Sequence, residues 1–206
     1  PVWVTIGSAG TAIPVAEHNY VGAVFLAGYP GVRSIFNGYR QGYRTRHGAD
    51  APLDRLAYCA LVYVADDEAE AKAGGNEVLW YMTSNKVATE YINPPGYHPP
   101  AVAAQIANGG NLARSLPSQT TLDAQMERGN VFCGTPDQVY EQIKTFYDYS
   151  GGFGNLLIMG QAGHLTFEQT RRSMSLFASE VYPRLKELTA GYDVDEMSAT
   201  QARLPD

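Results

Sequence analysis

The chain has 206 residues, 45% of them hydrophobic and 17% charged, with a formal net charge of −6. This is the composition of a folded globular domain, not of a disordered one. The acidic balance, with fifteen Lys and Arg scattered along the chain, excludes a nucleic-acid backbone as partner. No run approaches the roughly 18 to 20 apolar residues of a membrane span and no signal pattern opens the chain, so the expectation is a cytoplasmic protein without a membrane partner.

In chain order, four near-continuous apolar runs read as strands: residues 2–6, 21–27, 56–65 and 155–160. Such runs suit strands covered on both faces, as in a parallel sheet. A helical stretch follows each. "TAIPVAEHNY" is short, "VRSIFNGYRQGYRTRH" is polar on one side, and "DDEAEAKAGG" opens a third helix with acids, as a solvated, dipole-favoured start. "TPDQVYEQIKTFYDYSG" carries Thr135 as N-cap, Pro136 at the first helical position, Gln138 completing a capping box and Gly151 at its end. "TFEQ" repeats the box with Thr166 and Gln169, and Met174, Phe177, Val181, Leu185 and Leu188 then share one helical face. Strand–helix alternation throughout predicts an α/β fold. Residues 93–130, rich in Pro, Gly, Asn and Ser, are too long for an ordinary connection and read as a lid or a disordered insertion. Residues 191–206 read as a loose tail, and a chain that starts at Pro1 directly in a strand reads as a segment of something longer.

The stretch "IGSAGTAIPVAEH", residues 6–18, is the most informative. Pro14 lacks an N–H and is tolerated in a first helical turn, which places the helix start no earlier than Thr11 and leaves the amides of Ala9 to Ile13 without helical acceptors. Gly7 and Gly10 permit close backbone approach, and Ser8 and Thr11 add hydroxyls, so the turn can seat a phosphate at a helix N-terminus. An ordinary N-cap at Thr11 with two turn glycines explains the same residues, and on the pattern alone is the better explanation.

Three segments, "PVWVTIGSAGTA", "VFCGTPDQVYEQI" and "SMSLFASEVYPRLKEL", together resemble the C-terminal half of the bacterial luciferase-like, flavin-dependent monooxygenases, in the family's order. The resemblance implies a (β/α)8 TIM-type barrel, with this chain carrying the last four strand–helix units over residues 1–190. It also implies a site at the C-terminal strand ends. Ser8 and Thr11 match positions that hold the FMN phosphate in the family, which turns the balance toward a cofactor-binding segment of Gly7, Ser8, Ala9, Gly10 and Thr11; Gly7 departs from the family, which has an acid there. The implied activity is oxidation of a small, largely apolar substrate by reduced FMN and O2, with a separate flavin reductase as FMN supplier and a homo- or heterodimeric assembly. Residues 93–130 match the family's mobile loop. A deazaflavin cofactor is the lesser variant, and a non-catalytic flavin-binding subunit or truncated relative is the alternative.

Tyr29, Met159 and His164 lie at or after strand exits and are candidates for a substrate pocket, against packing for the first two and a solvated loop position for the third. His98 falls in the lid, and His18 and His47 near helix ends. Cys59 and Cys133 sit singly in apolar runs and read as buried thiols; no metal-ligand spacing and no nucleophile–base–acid order occurs, so catalytic residues stay unassigned.

Overall fold

The computed structural model describes residues 1–83 and 121–190. Of the expected lid of residues 93–130, residues 93–120 with His98 lie outside the described residues, as does the tail of residues 191–206. The elements are β1 (Trp3–Thr5), α1 (Ala9–Glu17), β2 (Val21–Phe25), α2 (Gly28–His47), a 3-10 turn (Leu53–Arg55), β3 (Leu56–Val64), α3 (Glu68–Thr83), α4 (Leu122–Glu127), β4 (Val131–Gly134), α5 (Pro136–Ser150), β5 (Asn155–Met159), α6 (Phe167–Leu176), a π-helical segment (Phe177–Val181) and α7 (Tyr182–Glu187). All strand pairs are parallel. The four expected strands run β1-β2-β3-β5, with Phe25 beside Cys59 and Cys59 beside Leu157 in register. β4 is a fifth strand that the sequence did not announce. Its four residues take over the edge of β3 where β2 ends, pairing Leu61 to Val64 with Val131 to Gly134.

The core is asymmetric. On one face α1, α2, α5 and the π segment bury Ile6, Val24, Tyr58, Ala60 and Val62 together with Phe36, Phe132, Phe146 and Phe177. On the other face only the upper end is covered, where α3 and α4 pack Val78, Leu79 and Leu122 on Leu61, Tyr63 and Cys133. Lower on that face Trp3, Phe25 and Leu157 are 45%, 41% and 37% exposed. The expectation that every strand is covered on both faces therefore fails for β1, β2 and β5. Apolar runs report apolar neighbours on both sides but not whether this part of the chain supplies them.

Local signals account for most helix ends. Thr135 and Gln138, and Thr166 and Gln169, form capping boxes, and Gly151 ends α5 at φ 77°. The expected stripe on α6 is partly displaced. Phe177 and Val181 are buried but Met174 is 49% exposed, because the π segment adds residues per turn and brings Ser173 inward, where its Oγ accepts the Val64 N–H at 2.8 Å. Part of the expected loop is helix: α4, capped by Thr121, buries Leu122 and Gln125.

Candidate functional site

β1 delivers the chain to Ser8 at the C-terminal end of the sheet. α1 begins at Ala9, two residues earlier than the proline argument placed it. A capping box explains the difference: the Ser8 Oγ accepts the Thr11 N–H at 3.2 Å, and the Thr11 Oγ1 accepts the Ser8 N–H at 3.1 Å. Pro14 lies within α1, where its missing N–H removes the single bond to the Gly10 carbonyl and its ring meets a residue with no side chain. The free set is accordingly smaller than Ala9 to Ile13. The Thr11 amide is used by the box and the Ala12 amide donates to the Ser8 carbonyl at 3.1 Å, leaving Ala9 and Gly10 as the amides in the first turn without a helical acceptor. Thr11 is the third helical residue and Ser8 the N-cap, which also corrects the N-cap assignment to Thr11.

The surroundings suit an anion. A Cβ on Gly7 would meet nothing within 4 Å, and one on Gly10 only the Ser8 Oγ at 4.0 Å, so neither packing nor a positive φ requires glycine there. Four described helices start with a Ser or Thr cap, and α1 is the one whose first turn holds no carboxylate; α4, α5 and α6 carry Asp123, Asp137 and Glu168. Those acids already satisfy the positive end of their helices, whereas that of α1 is unneutralised by its own residues. α1 is held by a close crossing on α2, where a Cβ at Gly38 would reach the Ala9 carbonyl at 2.7 Å and one at Gly42 the Ile13 Cα at 3.0 Å.

The three pocket candidates do not converge. Tyr29 belongs to α2 on the helix-covered face, its ring 5.0 Å from Phe146 and 5.2 Å from Tyr149, and burial raises its phenol pKa. Met159 packs into the cluster beneath α3 on the opposite face. His164 is exposed, with its backbone N–H donated to the Glu77 carboxylate at 2.8 Å. Tyr29 and Met159 thus cannot line one pocket, because the sheet separates them. Strand-exit position was the only clue to them, and it carries no information about face. What that reasoning missed is the row Phe25, Cys59 and Leu157 on the open face, with Trp3 on the same face two pairs lower beside Val21, legible in the two-residue alternation of each strand once the register is known. Cys59 is half-buried in this row. Cys133 is buried, its thiol donated to the Ala71 carbonyl at 3.0 Å and its pKa pushed up by burial to about 12. Among the described residues no group of His, Cys, Asp and Glu could hold a metal ion, and no helix is long and apolar enough to cross a membrane.

No family model matches the chain. Two curated proteins of Pseudomonas putida, 2,5-diketocamphane 1,2-monooxygenases 1 and 2, are each 25% identical over 174 residues, 82% of this chain and 45% of theirs. The similarity is to luciferase-like monooxygenases, at the level of the family. Solved structures share the fold. The monooxygenase RslO1 of Streptomyces bottropensis matches at TM-score 0.61 and 19% identity over 89% of this chain and 47% of its own. The oxygenating constituent of 3,6-diketocamphane monooxygenase from Pseudomonas putida, solved with FMN, matches at 0.57 and 18% over 88% and 47%. The coenzyme F420-dependent tetrahydromethanopterin reductase of Methanopyrus kandleri matches at 0.59 and 15% over 89% and 50%. The chain spans about half the length of the curated relatives it matches.

Proposed function

We propose that this chain supplies the phosphate seat and one half of the barrel of a flavin-dependent monooxygenase, four of its eight strands being β1, β2, β3 and β5. The observation that carries the reading is the start of α1: two open amides, two hydroxyls, two glycines in open space and no carboxylate, at the C-terminal end of a parallel strand. Those residues fit a phosphate group. FMN is favoured over a deazaflavin because FMN ends in a compact phosphate, whereas the deazaflavin tail extends through a phosphodiester to carboxylates that call for cations; the first Lys or Arg of this chain is Arg33. Reduced flavin, when bound, supplies the electrons with which O2 is made to oxidise a small, largely apolar substrate.

The chain's own part is to bind and orient. The Ala9 and Gly10 amides and the Ser8 and Thr11 hydroxyls would hold the phosphate, the α1–α2 crossing fixes that seat, and the apolar row Phe25, Cys59 and Leu157 offers a dry wall for an apolar molecule. No described side chain at the seat is an acid or base, and His18 lies at the far end of α1, its Nδ1 on the Pro14 carbonyl at 2.8 Å. That observation favours a second reading, a flavin-binding unit without turnover of its own.

The test is titration with FMN and with phosphate-free riboflavin, followed by flavin fluorescence. Each hydrogen bond to the charged phosphate contributes roughly 1.5–3 kcal/mol, so Ser8→Ala with Thr11→Ala weakens FMN at least about tenfold and leaves riboflavin nearly unchanged. Equal losses for both ligands would remove the seat. Oxygen consumption with reduced flavin and a cyclic ketone separates the enzyme from the binding unit.

A further inference from the structure

We infer that His164 is the acid–base group that the phosphate seat lacks: its imidazole faces the flavin ring system from the exit of β5, and Glu77 is the positioning residue that holds it there. The inference rests on the seat at the start of α1. The strand order β1-β2-β3-β5 places that turn three inter-strand steps, about 14 Å along the sheet, from the exit of β5. FMN held by its phosphate reaches across that gap through its ribityl chain, which brings its ring system to the loop of residues 160–165.

Three observations point to His164. First, its ring is unengaged. Of the described histidines, His18 has its Nδ1 on the Pro14 carbonyl at 2.8 Å and His47 its Nε2 on the Ala16 carbonyl at 3.1 Å, whereas the exposed His164 ring has no hydrogen bond among the described residues. Second, its backbone is fixed. The His164 N–H is donated to the Glu77 carboxylate at 2.8 Å, the flanking Ala162 and Leu165 are buried, and Thr166 caps α6. Third, Gly163 makes the tether possible. It sits at φ 63°, and a Cβ there would come within 2.5 Å of the Glu77 carbonyl oxygen and 2.6 Å of Glu77 Oε2, so any other residue would push the carboxylate off. A solvated imidazole needs none of this, since its side chain moves in water whatever the backbone does. A carboxylate and a left-handed glycine devoted to the main chain of a residue whose ring has no protein partner make the arrangement of a group held for a ligand. Oxidation by O2 puts one oxygen atom into the substrate and releases the other as water, taking up two electrons from reduced flavin and two protons. An imidazolium beside the ring system gives one of those protons to the departing oxygen and recovers it from solvent.

The experiment uses the full chain and follows each histidine by mass spectrometry during brief treatment with diethyl pyrocarbonate. FMN or riboflavin at about ten times its Kd slows modification of His164 roughly tenfold and leaves His18 and His47 unchanged. Inorganic phosphate, which fills the seat alone, changes none of the three. His164→Ala, checked for native circular dichroism, weakens FMN and riboflavin by the same factor, roughly two- to tenfold for one hydrogen bond, whereas Ser8→Ala with Thr11→Ala weakens FMN alone. Glu77→Ala removes the protection of His164, and Glu77→Gln, whose Oε1 still accepts the His164 N–H, keeps it. Unchanged modification of His164 in the flavin-bound chain, protection by inorganic phosphate, or unchanged affinity of His164→Ala for both flavins overturns the inference, and full protection in Glu77→Ala overturns the positioning role. Failure of the seat reads differently: the Ser8 and Thr11 variant then loses FMN and riboflavin equally while riboflavin still protects His164. A chain that binds neither flavin overturns both.

Discussion

At the level of single residues, two helical glycines have opposite physical roles. Gly38 is required by the fold, since a methyl there would enter the Ala9 backbone. Gly10 is not, since a methyl there meets no atom closer than 4.0 Å. Gly38→Ala is therefore expected to cost about 1–3 kcal/mol in a denaturant titration, the usual range for overpacking. Gly10→Ala leaves stability unchanged or slightly raised, because alanine is the better helix former, yet fills space at the seat and weakens FMN. A stability loss at Gly10 comparable to that at Gly38 would contradict the open geometry. Burial sets the thiols as well. The folded pKa of Cys133 is raised from 9.0 to about 12, so both states hold the proton below pH 9 and the unfolded chain releases it first above. Stability falls as pH rises from about 9 toward 12, and Tyr39 and Tyr58, whose phenols burial also pushes up, add to the fall from about pH 10. Unfolding curves at pH 8 and 10.5 measure the slope, which Cys133→Ala makes shallower.

At the level of elements, local chemistry and tertiary pairing can be separated. α5 begins with Thr135, Pro136 and Gln138 and ends on Gly151, all readable without neighbours. Its position is tertiary: the Arg40 guanidinium of α2 donates to the carbonyls of Ser150, Gly151 and Gly152 at 2.8, 2.8 and 2.7 Å, neutralising the negative end of the helix. β4 shows the converse. Four residues are too few for a periodicity, and it exists because β3 runs past the end of β2 and because Gln142 closes its other edge. Gln142→Leu strands the Cys133 N–H and carbonyl, and thermal unfolding of that variant is expected to show a loss of about 1–3 kcal/mol. Little or no change would mean that water replaces the amide. In α1 the sequence argument failed by relying on one strong rule, because a box of two hydroxyls outweighs a proline at the sixth helical position.

At the level of the whole molecule, the open face can be read by fluorescence. The chain has two tryptophans. With Trp80 replaced by Phe, Trp3 alone emits; being 45% exposed, it is expected to emit to the red and to be quenched readily by acrylamide. Blue-shifted emission with little quenching would mean that this face is covered in solution.

Four of the five strands, the two capping boxes of α5 and α6 and the glycine-and-hydroxyl turn after β1 were determined by the sequence itself, because each depends on residues within a few positions of one another. Which of the free amides remain at that turn, which face Tyr29 and Met159 occupy, and which strand faces stay uncovered were decided only by the tertiary structure. Those properties depend on register and on what packs across the sheet, and a one-residue change of parity inverts them without altering the apolar pattern of any single strand.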